Sequence, residues 1–271
     1  MENFYHRLKS VEIQGAINIA KESLRYLKNY AKSYGFGNSF NREAKRIEKI
    51  RPTAVVLHNV LEELLRNPSF EKIDELLRRL EEVDEKVSTI SQRVIPNGAC
   101  VLTHCHSTEV VSCLVEANEL GKNVKVYATK TEPLHQGLIT AKELAKASID
   151  VTLINDNAVG YFMEEVDLVL VGTDAIRKEG IVNKIGTSMI AIVAKEYSVP
   201  FYSIGSYFKL DRRRNFIVEK RSWKEVIDKK IKGVKVENPA FDLTSWRYVS
   251  GVVLEDGIYK PRDVRRLLNE V

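Results

Sequence analysis

A change of period at "IPNG", residues 95–98, constrains this chain more than any other feature. Upstream of it, apolar residues recur every three or four positions; downstream, short apolar runs alternate with helical stretches. GAINIAKESLRYLKNYAKSYG sets Ile17, Ala20, Leu24, Leu27 and Ala31 on one helical face and stops at Gly35. A second helix is predicted from Asn41 to about Asn67, broken near Arg51-Pro52 because proline drives the residue before it out of the helical region. Pro68 and Ser69 start a third, FEKIDELLRRLEEVDEKVSTISQRV, whose i,i+4 charge pairs mark its solvent face. After the turn come the strand-like runs ACVLT (99–103), VKVYAT (124–129), DVTLIN (150–155), DLVLVG (167–172) and PFYSIG (200–205). TEVVSCLVEANELG, GLITAKELAKAS and SMIAIVAKEYS lie between them as helices. This alternation predicts an α/β fold: a helical domain over 1–95, then a domain over 96–271 with a parallel sheet covered on both faces. Beyond about residue 206 the pattern is mixed, with a helix expected near 223–231, a strand near 249–254 and a final helix after Pro261.

Composition narrows the function classes. At 271 residues and 44% hydrophobic, the chain can bury real cores. No run approaches the roughly 20 apolar residues that span a bilayer, and MENFYHRLKS is too polar for a secretory signal, so no membrane role is expected. The net charge of +5 is spread among interleaved Glu and Asp, and the densest basic cluster, Arg212 to Arg214, has no nucleic-acid motif around it. Direct nucleic-acid binding is therefore not expected. The three cysteines, at 100, 105 and 113, form neither a disulfide framework nor paired metal spacing, which predicts a reducing, cytoplasmic setting and no metal.

In parallel sheets, ligands bind beyond the carboxyl ends of the strands. His104, Cys105, Lys130 to Gln136, Asp156, Asp174 and Gly205 to Lys209 occupy those ends. Cys105 follows ACVLT and precedes a helix opened by Ser107. A helix amino terminus lowers a thiol pKa, and charged His104 or His106 would add to that; the alternative is an inert packing cysteine, as Cys100 and Cys113 are expected to be. Asp174, immediately after DLVLVGT, is either a buried acid with a raised pKa or a helix-capping or turn aspartate. IVNKIGT, residues 181–187, reads as a polar loop. Its Asn183 and Lys184, with amides near Gly186 and Thr187, suit a phosphate, or else mark an ordinary surface loop. Arg51 beside Pro52 is a guanidinium that could reach a site, or an exposed arginine at a helix break. No nucleotide-binding glycine fingerprint is present.

The stretches IQGA, RPTAVVL, THCHS, TEPLHQG, ITAKEL, DNAVGYFMEEVDLVLVGTDAI, NKIGTSMIAIVAKE, SYFKLD and NPAFDLT follow one another in this order. Together they resemble the superfamily of methylthioribose-1-phosphate isomerase, archaeal ribose-1,5-bisphosphate isomerase and the alpha, beta and delta subunits of translation initiation factor 2B. The likeness covers about residues 11–260. It implies a helical N-terminal domain followed by a Rossmann-like domain, assembled as homodimers or hexamers. The isomerases carry the cysteine of THC and the aspartate after the VG-x-D strand, present here as Cys105 and Asp174. THCHS, NPAFDLT and the short chain look most like the ribose-1,5-bisphosphate enzyme of archaeal AMP salvage.

The resemblance implies an acid–base isomerisation. Phosphate locks the anomeric oxygen, so an acid must protonate the ring oxygen while a base takes the C2 proton. Asp174 is assigned as the acid and Cys105 as the base. Gly15, Ala16, Arg51, Gln136, Asn183 and Lys184 are the implied phosphate and sugar contacts, with no cofactor and no metal. Two departures stand out: Gln14-Gly15-Ala16 replaces the usual Arg-Gly-Ala, and Lys130-Thr131-Glu132-Pro133 replaces Glu-Thr-Arg-Pro. The second swaps two charges that share a face of an extended segment, so an internal ion pair can persist, while Glu132 against a phosphate would be repulsive. The alternative reading is a non-catalytic regulatory subunit that binds initiation factor 2 and a phosphorylated small molecule.

Overall fold

The computed structural model describes residues 2–10, 13, 15–214 and 220–269. Two units emerge, Met1–Val83 and Asp84–Val271. The first contains helices α1 (Glu2–Lys9), α2 (Ala16–Tyr34), α3 (Asn38–Ile50), α4 (Val55–Arg66) and α5 (Phe70–Glu81). Helix α2 buries Ile19, Ala20, Ser23, Leu24, Leu27 and Ala31, the stripe expected from a 3.6-residue period. It stops at Gly35, whose positive φ of 68° suits glycine and whose N–H donates to the Ala31 carbonyl. Arg51, before Pro52, takes φ −127° and breaks α3 from α4 as the dipeptide predicts.

The third predicted helix is two. Helix α5, capped by the Ser69 hydroxyl on the Lys72 amide at 3.0 Å, ends at Glu81, and α6 (Val83–Ser91) follows. The buried positions Ile73, Leu76, Leu80, Val83 and Val87 keep an unbroken three–four spacing, so periodicity gives no sign of the break. It coincides with the division between units, upstream of IPNG. The reason is packing: in α7 (Thr108–Glu119), Cys113 offers its carbonyl to Gln92 at 3.1 Å and its thiol to the Val87 carbonyl at 3.8 Å. These contacts tie α6 and the residues after it to the second unit.

That unit is an α/β layer structure. Its sheet runs β10-β9-β7-β4-β1-β2-β3, from β1 (Cys100–Thr103), β2 (Lys125–Thr129), β3 (Asp150–Ile154), β4 (Leu168–Gly172), β7 (Phe201–Ile204), β9 (Gly251–Leu254) and β10 (Gly257–Tyr259). All neighbours are parallel except β10 on β9. Helices α7, α8 (Gly137–Lys146), α9 (Val159–Phe162) and α10 (Thr187–Glu196) connect the parallel strands, and α11 (Pro261–Asn269) follows β10. The chain builds outward from β1 through β2 to β3, then returns to place β4 on the other side of β1. The β1/β4 junction is therefore the switch point of the sheet, the crevice where such folds bind ligands.

A second sheet, not expected from the sequence, joins β5 (Ala175–Ile176), β6 (Gly180–Lys184) and β8 (Phe241–Ser245) in antiparallel order. The supposed loop around Asn183 and Lys184 is thus a strand, buried throughout and paired on both edges. The helix expected near 223–231 is only a 3-10 turn, Trp223–Glu225. Val226 and Ile231 are 48% and 59% exposed there, so no apolar face exists to hold a helix.

Candidate active site

Cys105 follows β1 and Asp174 follows β4, so both lie at the carboxyl ends of the two strands that form the switch point. Cys105 has φ +68°, uncommon for a residue with a side chain. Its main chain is pinned from both sides. The Cys105 N–H donates to Thr131 Oγ1 at 2.9 Å, and the Thr140 hydroxyl donates to the Cys105 carbonyl at 2.9 Å. Thr131 also has positive φ, and Asp156 fixes it by accepting the N–H groups of Thr131 and Glu132, each at 2.7 Å.

The thiol meets Gln136, Sγ to Oε1, at 3.6 Å. Burial pushes its pKa up to about 11; the charges of Asp174 and Asp156 add to the push, while Lys184 and the His106 N–H oppose it. The sequence suggested the opposite direction. The correction has two causes. Helix α7 begins only at Thr108 and is capped by its own Ser107, which accepts from Val110 N at 3.4 Å. His104 supplies no charge either: burial holds its imidazole below the ordinary range. Its Nε2 donates to the Ile185 carbonyl at 2.9 Å, so Nδ1 accepts from the Thr129 hydroxyl at 2.6 Å. His104 is a strut between the ends of β1 and β2 and the turn into α10. His106 Nδ1 lies 3.1 Å from Thr140 Oγ1, whose proton is already given to Cys105.

Asp174 is half-buried and caps no helix: its N–H donates to the Val182 carbonyl at 2.8 Å and the chain runs on into β5. Lys184, the last residue of β6, is buried, with its ammonium 5.3 Å from the Phe241 ring centroid. Among the described residues no carboxylate forms an ion pair with it, and its charge reaches Cys105. Asn183 belongs to the opposite pleat, level with Asp242, and donates to Thr187 Oγ1 at 3.1 Å. The amides near Gly186 expected to receive a phosphate are already occupied. Asp242 accepts Gly186 N at 2.8 Å and Ser188 N at 3.1 Å, and burial raises its carboxyl to about 6 against those two bonds.

The remaining expected contacts lie on the first unit. Gly15, exposed with φ +82°, precedes α2, and Ala16 is its first residue; no side chain caps that terminus. Arg51 is half-buried and gives one long bond, 3.4 Å, to the Leu8 carbonyl. Gln14 falls outside the described residues. Glu132 binds Lys130 at 2.7 Å and His135 at 3.0 Å, the internal ion pair that the spacing allows.

Two features escaped the sequence. One is Asp242. The other is the buried pair of Lys209 with Glu109, in which Ser107 also donates to Glu109 at 2.7 Å. Burial alone would raise the Glu109 carboxyl, but Lys209 holds it below the ordinary range. A groove of about 350 Å³ lined by Gly98, Cys100, Lys125 and Asp150 opens at the amino ends of β1–β3 and takes in none of the candidate residues.

Comparison with known proteins adds four findings. The profile described as the Initiation factor 2 subunit family matches residues 12–261. A ribose 1,5-bisphosphate isomerase of Methanocaldococcus jannaschii is 37% identical, over 95% of this chain and 91% of its own. A methylthioribose-1-phosphate isomerase of Carboxydothermus hydrogenoformans is 36% identical, over 84% and 78%. Among solved structures, a translation initiation factor eIF-2B of Pyrococcus horikoshii superposes with TM-score 0.84 at 28% identity, covering 97% of this chain and 98% of that one.

Proposed function

The chain belongs to the Initiation factor 2 subunit family, and within it we propose a sugar-phosphate isomerase that converts ribose 1,5-bisphosphate to ribulose 1,5-bisphosphate. The observation that carries this reading is the placement of Cys105 and Asp174 at adjacent strand ends, close enough for the charge of one to act on the other. The relatives named for this activity and for its methylthioribose counterpart support it.

In this reading Asp174 protonates the ring oxygen and Cys105 takes the proton from C2. The raised thiol pKa makes the two roles interdependent. At neutral pH the resting thiol keeps its proton. The reactive arrangement needs that proton on the carboxyl and the charge on sulfur, so the pair works with one proton shared between them. Lys184 favours the thiolate. Gln136 orients the sulfur. On the second unit, Lys184 is the cation proposed to meet a phosphate, and Asn183 holds the turn after it through Thr187; on the first, the uncapped start of α2 after Gly15 suits an anion. Glu132 is no obstacle to a phosphate, because both its oxygens are engaged by Lys130 and His135. The protein acts in the cytoplasm as a homo-oligomer in AMP salvage.

The regulatory-subunit reading draws on the structure named for an initiation factor; retention of Cys105 and Asp174 favours the enzyme. Turnover decides. Ribose 1,5-bisphosphate and methylthioribose 1-phosphate are offered in parallel to the wild type, Cys105→Ser and Asp174→Asn. Product from the wild type, lost in both variants, is the expected result. A folded, phosphate-binding wild type that converts neither sugar would sink the isomerase.

A further inference from the structure

Two side chains converge on one carboxylate within reach of the charge of Lys184. Arg221 grips Glu225 with both arms of its fork, Nε to Oε2 at 2.8 Å and a terminal nitrogen to Oε1 at 2.7 Å. Asn238, itself buried, donates to the same Oε2 at 3.0 Å and to the Ser222 carbonyl at 2.9 Å. The Arg221 bonds, helped by Asn238 and the charge of Lys184, hold the Glu225 carboxyl below its ordinary range. The backbone fixes this neighbourhood. Phe241 stands opposite Lys184 in the β6–β8 ladder, Ile185 N donates to the Ala240 carbonyl at 3.0 Å, and Asn238 lies three residues ahead of Phe241, its carbonyl accepting from Arg221 N at 2.9 Å.

A guanidinium fork, an amide N–H and a nearby buried ammonium are a donor set that suits a phosphate. We propose that Glu225 is a built-in occupant of a phosphate subsite: it fills the cradle of Arg221, Asn238 and Lys184 in the empty protein and leaves when a phosphate monoester arrives, whereupon Arg221 turns to the phosphate. The isomerase reading is needed only to name the ligand as the substrate's own phosphate. Moving Glu225 disrupts little, because it belongs to a single 3-10 turn in a stretch whose Val226, Ile231 and Val234 are all exposed.

The test is calorimetric titration of the full chain with inorganic phosphate and, separately, ribose 5-phosphate. Releasing a partly exposed carboxylate from its ion pair should tighten binding about three- to fivefold in Glu225→Gln, and likewise in Glu225→Ala, where no amide remains to hold Arg221. The double variant Arg221→Gln/Glu225→Gln should lose that gain. Unchanged or weaker binding in both Glu225 variants at unaltered Tm overturns the proposal, as does a double variant that keeps the gain. The expected phosphate titrations without any sugar turnover would uphold the subsite and count against the isomerase reading alone.

Discussion

The sulfur of Cys105 lies 3.6 Å from Oε1 of Gln136, an oxygen that can only accept a hydrogen bond, so the resting contact is made by a protonated thiol. Burial and the neighbouring carboxylates agree, placing the pKa at about 11. Alkylation by iodoacetamide, followed against pH with Cys105→Ser as the blank, should rise with a midpoint near that value. Lys184→Met removes a cation that opposes the shift and should move the midpoint higher. A midpoint in the neutral range would show that the site activates its thiol before substrate arrives.

The same thiol ties folding stability to alkaline pH. Folding lifts its pKa from the ordinary 9.0 to about 11, so the native protein holds this proton longer than the unfolded chain. The stabilisation is whole below pH 9 and is lost as pH rises through 11. Between those limits the wild type should lose on the order of 2–3 kcal/mol relative to Cys105→Ser. Denaturant titrations of both proteins at pH 8 and pH 11 measure the difference; curves that stay parallel contradict the burial of the thiol.

Asp242 gives the acid-side counterpart. Its pKa rises from 3.8 to about 6 on folding, so its contribution to stability is full below 3.8 and disappears as pH climbs through 6. Asp242→Asn cannot titrate. Its melting temperature relative to the wild type should therefore improve steadily from pH 4 to pH 7 by scanning calorimetry. A difference independent of pH would mean that the two amide bonds, and not burial, dominate this carboxylate.

His104 should prove structural. His104→Ala deletes bonds to Thr129 and the Ile185 carbonyl, both in the interior, and leaves a cavity. A loss of about 2–4 kcal/mol is expected by chemical denaturation. Because Ile185 follows Lys184 directly, the variant should also raise KM more than it lowers kcat. Full stability with lost kcat would instead make the imidazole a chemical participant.

The Lys209–Glu109 pair is nearly inaccessible, with side chains 4% and 5% exposed. Lys209→Met strands a buried carboxylate and should cost about 3–5 kcal/mol, whereas Lys209→Met with Glu109→Gln should recover much of it. Thermal melts of the three proteins give the coupling; additive losses would show that the pair does not act as a unit.

Much of the second unit was legible because its strands are short, apolar and bounded by turn residues, and strand ends are where such folds place ligands. That logic reached Cys105 and Asp174. It misjudged Lys184, since a polar Asn-Lys pair looks like loop; only the edges offered by β5 and β8 make it a buried strand. It missed Asp242 and Thr140, and gave Thr131 no role of its own, because each acts on backbone far away in sequence, which leaves no local pattern. The α5–α6 break was invisible for the opposite reason: the apolar spacing runs straight through it.

The clamp around residue 105 separates architecture from chemistry. Thr131 and Thr140 hold the main-chain N–H and carbonyl of Cys105, not its sulfur. A small polar side chain that tolerates positive φ could replace the thiol and leave every clamping bond in place. Under the role proposed for Cys105, a one-residue change here would remove the base and leave the scaffold unaltered. A single scaffold can then diverge into enzymes and into proteins that only bind.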